Sequence, residues 1–370
     1  MAQDLRQVMA SVAAHPGPLF SAYVSVNAAI PENQERAYLV RLRDAMDDKG
    51  VPEELKRRIR EYLGAETHPR ARTLAIFAAE DGFFEVYRLH VDIPESSRWG
   101  DPYVTPLTLI VDEYEPYGAA VLDAERFRYF VVSPLASTDE GEEIKGNGFR
   151  EVDLRPSQPY PRSHGSTDAD PAGRTQRAKA HLFYKEMGEL ARSVTFREGV
   201  RRLILAGPSE VTSGFREALP NELKTRVVAE EHVELGAPEG ELLDRLEAIR
   251  ESAELERERK LLLEIRESGV SGLDETIAAL QEENRVYHLA VLWELEGEIR
   301  WCDNDRLAIR DIAAEECPYC GRKTRVRPLT DALVDLASAR GARLDFMLGE
   351  NENTDILRDE FGGIAGLTRF

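Results

Sequence analysis

The chain is short of cysteine and histidine, and its 48 basic residues are outnumbered by 68 acidic ones. Three cysteines in 370 residues, two of them in one "CPYC", exclude a secreted disulfide framework. No stretch reaches the roughly 18–20 consecutive apolar residues of a membrane-spanning helix. The start, "MAQDLRQVMASVAAHPGP", lacks the basic-then-apolar layout of a secretory leader, so the expected location is cytoplasmic, with no membrane partner. The nucleotide-binding patterns G-x-G-x-x-G and G-x-x-x-x-G-K-S/T are missing, as are G-x-S-x-G and H-E-x-x-H. Seven scattered histidines form no evident set, and paired acids are too common in an acidic chain to assign one a catalytic role.

What is present is acid. The formal net charge is −20, which argues against a generic nucleic-acid coat, since phosphate contacts need Lys and Arg. The total hides an asymmetry. Lys145 to Arg202 holds twelve basic against seven acidic residues, while the run from Glu230 to Glu298 is rich in Glu. Hydrophobic content of 42% suffices for two or three cores.

Strands alternate with helices, which predicts an α/β chain, α+β overall. "FSAYVSV" (Phe20–Val26) reads as a strand, Arg36–Tyr62 as two helices broken near Gly50-Val51-Pro52, and Thr73–Tyr87 as a hairpin. "ESSRWGDPYVTPL" reads as loop. Next come strands at "YGAAVLD" and "FRYFVVS", a long loop over about 139–173, a helix to about Val194, and strands at "RRLILAG" and "TRVVAE". "GPSE" reads as an ordinary strand-to-helix turn. A third part opens near Gly236 with one or two long amphipathic helices through Leu242, Leu246, Ile249, Leu262 and Ile265. "GLDETIAALQEENRVYHLAVLW" and "LTDALVDLASARGARLDFM" each read as helix then strand. The expected domains are 1–112, 113–235 and 236–370.

Two places could carry chemistry. The stretch "SHGSTDADPAGRTQRAKAH" (Ser163–His181) leads into the helix of the middle part. At 100° per residue, Arg174, Arg177, His181 and Lys185 share one face, and Phe183, Met187, Leu190 and Val194 the opposite one. One side should pack and the other form a cationic ridge, helped by the positive end of the helix dipole. A solvated face is the plainer reading of such a charge run. A loop longer than about 15 residues inside a domain favours function or disorder. The second place is Cys317-x-x-Cys320. With Cys302 as third ligand, and Asp303 or Glu316 as candidate fourth, it reads as a structural zinc knuckle; otherwise it is a tight turn with free thiols.

The order of these pieces resembles the archaeal–eukaryotic class-1 release factor and Pelota superfamily, and more closely its bacterial homologues, among them the Balon-type ribosome hibernation factors. "FGGIAGLTRF" is similar to the family's C-terminal signature, "CPYCG" to the zinc knuckle of archaeal members, and "YGAAVLD" and "RRLILAGPSE" to strands of the middle domain. The resemblance implies a tRNA-shaped body of three domains. It also implies a Gly-Gly-Gln loop before the basic helix, which acts at the peptidyl transferase centre. Here that stretch is Gly173-Arg174-Thr175-Gln176, without the paired glycines, and "DDKGVPEELKRR" lacks the Asn-Ile-Lys-Ser motif of stop-codon readers.

The implied function is a non-hydrolytic factor occupying the A site of vacant or stalled ribosomes, in hibernation or rescue. The implied rRNA contacts are Gly173, Arg174, Gln176, Arg177, His181 and Lys185. Elongation factor Tu or another translational GTPase is the implied further partner of the 70S ribosome. Two alternatives stay open: a peptidyl-tRNA hydrolase using Gln176, and an interaction module that does not bind ribosomes.

Overall fold

The computed structural model describes residues 5–65, 69–113, 116–123, 126–134, 144–145, 148–155, 171–233 and 238–369. Residues 156–170, and with them most of the polar stretch before the basic helix, lie outside the described residues, as does Gly236.

The chain begins with α1 (Leu5–Ala13), β1 (Leu19–Ser25), α2 (Tyr38–Asp48), α3 (Glu53–Ala65), β2 (Thr73–Ala78), β3 (Phe84–Leu89), β4 (Ser96–Gly100) and α4 (Thr105–Glu113). The strands form an antiparallel sheet of order β3-β2-β1-β4. β1 and β2 are buried on both faces, and alternate residues share a face. Phe20, Ala22 and Val24 share a face with Leu74, Ile76 and Ala78, and that face packs on Leu42 and Met46 of α2 and Leu55, Ile59 and Leu63 of α3. The stretch read as loop, "ESSRWGDPYVTPL", instead holds β4 and the first turn of α4. Ser96–Gly100 has no alternating pattern; pairing with β1, from Leu19↔Gly100 to Tyr23↔Ser96, makes it a strand.

The next stretch holds β5 (Tyr117–Leu122), β6 (Phe127–Val132), β7 (Ile144–Lys145), β8 (Phe149–Val152), α5 (Pro171–Arg197), β9 (Arg202–Ala206), α6 (Ser209–Ala218), α7 (Asn221–Lys224) and β10 (Val227–Glu231). They build a six-stranded mixed sheet, β10-β9-β5-β6-β8-β7. The long loop expected over 139–173 therefore contains β8, anchored by the fully buried Phe149 and paired with β6. Gly207 closes the β9–α6 turn at φ +150°, and a Cβ there would sit 1.9 Å from Leu122 O.

The last stretch runs α8 (Glu239–Ser268), β11 (Gly269–Ser271), α9 (Leu273–Gln281), β12 (Val286–Leu292), β13 (Glu298–Cys302), β14 (Leu307–Ile309), β15 (Arg325–Pro328), α10 (Leu329–Arg340), β16 (Arg343–Met347), α11 (Glu352–Asp359) and β17 (Ile364–Thr368). It holds two sheets, β11-β17-β12-β16 and β14-β13-β15. Gly362 and Gly363 of "FGGIAG" take φ +68° and +82°, a left-handed turn that feeds β17 and lets Gly363 N donate to Leu357 O at 2.8 Å.

The chain forms two compact units, one of 1–106 with 114–253, the other of 107–113 with 254–370. The division falls inside α8. Its first half gives Leu242, Leu243, Leu246 and Ile249 to the core over the six-stranded sheet, and its second half gives Leu261, Leu262 and Ile265 to the core of the second unit.

Candidate functional site: a two-faced helix and a cysteine knuckle

Helix α5 starts at Pro171, whose fixed φ and missing N–H suit the first helical position. Gly173, Arg174, Gln176 and Arg177 thus lie in the first two turns of a helix, not in a loop, and their side chains are outside the described residues. From Ala178 on, the two faces separate. Phe183, Met187, Ala191 and Val194 are buried against Ala120, Leu122, Tyr129, Leu203 and Leu205, with Leu190 half-buried beside them. His181 and Lys185 are exposed, together with Lys179 and Leu182. Lys179, His181 and Lys185 have no ion-pair partner among the described residues, whereas Arg192, further along, meets Glu189 at 3.0 Å.

The knuckle is a pair of matched turns. In the first, Arg306 N donates to Cys302 O at 2.8 Å, and Arg306 is left-handed at φ +54°. In the second, Gly321 N donates to Cys317 O at 2.9 Å, and Gly321 is left-handed at φ +69°. Each turn aims two donors at one point: Cys302 and Asp305 from the first, Cys317 and Cys320 from the second. Their ligand atoms all lie within 4.8 Å of one another. Cys302 Sγ is 3.5 Å from Cys320 Sγ, and Asp305 Oδ2 is 3.2 Å from Cys317 Sγ.

The fourth group placed to hold a metal with the three thiols is therefore Asp305. Asp303 pairs instead with Arg325 at 3.0 Å, and Glu316 takes part in a backbone bridge to Lys323. The signal was in the sequence: Cys302-x-x-Asp305 repeats the spacing of Cys317-x-x-Cys320. Without a cation the donors resist ionising together. The Asp305 carboxylate beside Cys320 pushes that thiol up to about 12, while hydrogen bonds from the thiols, Cys320 first, lower Asp305. Three soft sulfurs and one carboxylate fit a closed tetrahedral zinc site, where sulfurs stand ~3.8 Å apart.

One cavity of about 180 Å³ in the first unit is lined by Arg72, His90, Tyr117 and Glu247, among others. Its cations are satisfied internally: Arg72 meets Asp92 at 2.6 Å and Arg250 meets Glu247 at 3.0 Å.

Residues 102–251 match the family described as "Bacterial archaeo-eukaryotic release factor family 10". The chain is 24% identical to "Peptide chain release factor subunit 1" of Archaeoglobus fulgidus over 322 residues, 77% of this chain and 71% of that protein. It is 22% identical to "Eukaryotic peptide chain release factor subunit 1" of Cryptosporidium hominis, over 72% of this chain and 66% of that one. Among solved structures, Archaeoglobus fulgidus Pelota covers 100% of this chain and 93% of its own at 14% identity and a TM-score of 0.32. The chain is thus similar to release factor 1 over about three quarters of its length, and residues 102–251 carry the match to the bacterial archaeo-eukaryotic release factor family.

Proposed function

We propose that this release-factor-1- and Pelota-like chain is a ribosome-binding translation factor that occupies the A site of vacant or stalled ribosomes without hydrolysing peptidyl-tRNA. The observation that carries the reading is the two-faced α5. Its apolar side is sealed into the six-stranded sheet, while His181 and Lys185 on the other side are exposed and have no ion-pair partner among the described residues, on a chain of net charge −20. Cations that stabilise nothing internally are available to phosphate. Helical spacing puts Arg174 and Arg177 on the face of His181 and Lys185, and in this reading these four, with Gly173 and Gln176, would meet ribosomal RNA.

Absence of hydrolysis follows from the same segment. A paired-glycine loop can adopt backbone conformations that Arg174 and Thr175 adopt only at a cost. With α5 starting at Pro171, Gly173 and Gln176 lie about one helical turn apart instead. In this reading residues 1–112, 113–235 and 236–370 serve as decoding-side, middle and GTPase-facing parts of a tRNA-like body. Elongation factor Tu is the candidate GTPase. Zinc held by Cys302, Asp305, Cys317 and Cys320 would fix the knuckle by supplying positive charge to four converging donors.

The deciding experiment is co-sedimentation of the full chain with vacant 70S ribosomes at physiological salt, with and without elongation factor Tu. Saturable pelleting near one copy per ribosome, with no release of peptide from stalled complexes, is expected. Release that Gln176→Ala abolishes would install the hydrolase instead. No pelleting in either condition would leave an interaction module of release-factor-like fold.

A further inference from the structure

The knuckle has an outer surface that its sulfur cluster does not account for. Cys317 N donates to Arg322 O at 2.8 Å, closing a short loop on top of the Cys317–Gly321 turn. The sulfurs of Cys317 and Cys320 turn inward, so the loop is pinned on both sides of Tyr319. Tyr319 itself stands outside at 65% exposure, the most exposed large apolar side chain among the described residues. It has no hydrogen bond or ring contact among them. An aromatic ring this exposed on a clamped loop contributes nothing to the core, yet little conformational entropy remains for a partner to remove.

The strand that leaves the tip is basic, while Glu315 and Glu316 lead into the tip and Glu316 pairs by backbone with Lys323. From Cys317 to Pro328 the chain carries Arg322, Lys323, Arg325 and Arg327 and no acid. Arg325 meets Asp303 at 3.0 Å, and Arg327 meets Asp335 at 2.5 Å and stacks on Trp301. Arg322 and Lys323, the two next to the tip, are exposed and have no ion-pair partner among the described residues.

We propose that the knuckle tip is a binding site for single-stranded RNA, with Tyr319 stacking on an unpaired base and Arg322 and Lys323 holding the flanking phosphates. A flat ring beside unpaired cations is the pairing that single strands use, because every base has a face to stack and every link a charge. An acidic peptide would satisfy the cations but leave the ring idle. RNA, as the kind of strand, rests on the proposed function; the stacking site does not, and it uses residues of the other compact unit from α5.

The test is fluorescence anisotropy of the full chain with labelled oligouridylate of about twelve nucleotides, a length in the range of single-strand sites. Tyr319→Ala should weaken binding at least about fivefold, the lower end for loss of one stacked base, and Tyr319→Trp should restore it. Arg322→Gln with Lys323→Gln should flatten the salt dependence by about 1.4 in log–log slope, two single-strand phosphate contacts. A duplex of the same length should bind more weakly. Unchanged affinity in both the Tyr319→Ala and the paired Gln variants overturns the site. So does binding that Lys185→Glu abolishes while Tyr319→Ala leaves it intact, which would assign the RNA to α5. Polyglutamate that binds as tightly as the RNA and ignores Tyr319→Ala would also overturn it, in favour of an acidic protein partner.

Discussion

The Cys302 sulfur lies 3.5 Å from the Cys320 sulfur across eighteen residues of sequence. Two left-handed turns bring them together, and Asp305 and Cys317 close the group. Thiols in such a group lose their protons to a metal far more readily than to solvent. Metal analysis of chain purified without chelator should find about one zinc per chain, and Cys320→Ser should reduce it toward zero. Asp305→Ala should weaken zinc at least about tenfold, an amount comparable to losing an outer partner. Zinc content near zero in the unaltered chain would remove the metal and leave a hydrogen-bonded turn.

Glu258 of α8 is buried in the second unit, where Asn353 Nδ2 donates to its carboxylate at 3.0 Å. Burial raises its pKa to about 7, and the neighbouring carboxylates of Glu254 and Asp345 push the same way, against Asn353 and Arg257. A carboxyl raised in the folded state stabilises fully below its ordinary pKa, and that contribution fades as pH climbs through the folded value. The cost above pH 7 is at most about 3 kcal/mol. Urea unfolding at pH 5.5 and 8 should show the second unit weakening on the alkaline side, and Glu258→Gln should flatten that difference. Equal pH slopes in variant and parent would contradict the assignment.

The two faces of α5 should separate stability from binding. Met187 is 1% exposed, so Met187→Ala should cost about 2–5 kcal/mol. Lys179→Glu with Lys185→Glu changes only exposed groups and should move stability by about 0.5 kcal/mol or less. The same pair should remove ribosome association. Equal thermal destabilisation by both sets of substitutions would mean that the basic face packs after all.

Gly207 offers a sharp backbone test. A Cβ at this position would stand 1.9 Å from the Leu122 carbonyl oxygen, which belongs to the neighbouring strand and cannot swing away. Gly207→Ala should force β5 and β9 apart and cost about 3 kcal/mol or more. Gly50→Ala, at φ +68° with open space around it, should cost only about 1–2 kcal/mol from its left-handed backbone. Comparable denaturation midpoints for the two variants would show that the β9–α6 turn can relax.

Most elements were legible because each buries one face, and burial writes a period into the sequence. Phe183, Met187 and Val194 declared α5, and Leu329 through the left-handed Gly341 cap declared α10 with its stop. β4 was not legible, because Ser96–Gly100 has no apolar alternation and becomes a strand only beside β1. β8 was hidden for a similar reason: four residues anchored by Phe149 are too few to show a period. The candidate site was legible in part. The cysteines were evident and Cys302 was identified as the third, but Asp305 was overlooked in favour of Asp303 and Glu316.

The sequence by itself determined the local order of strands and helices, the charge asymmetry and the three thiols, since these depend on residue type and near-neighbour spacing. Only the tertiary structure decided that α8 serves two cores along one helix, that β4 closes the first sheet, and that Asp305 joins the cysteines. Those outcomes depend on which distant surfaces meet; spacing along the chain records the two matching turns, Cys302-x-x-Asp305 and Cys317-x-x-Cys320, but not that they face one another.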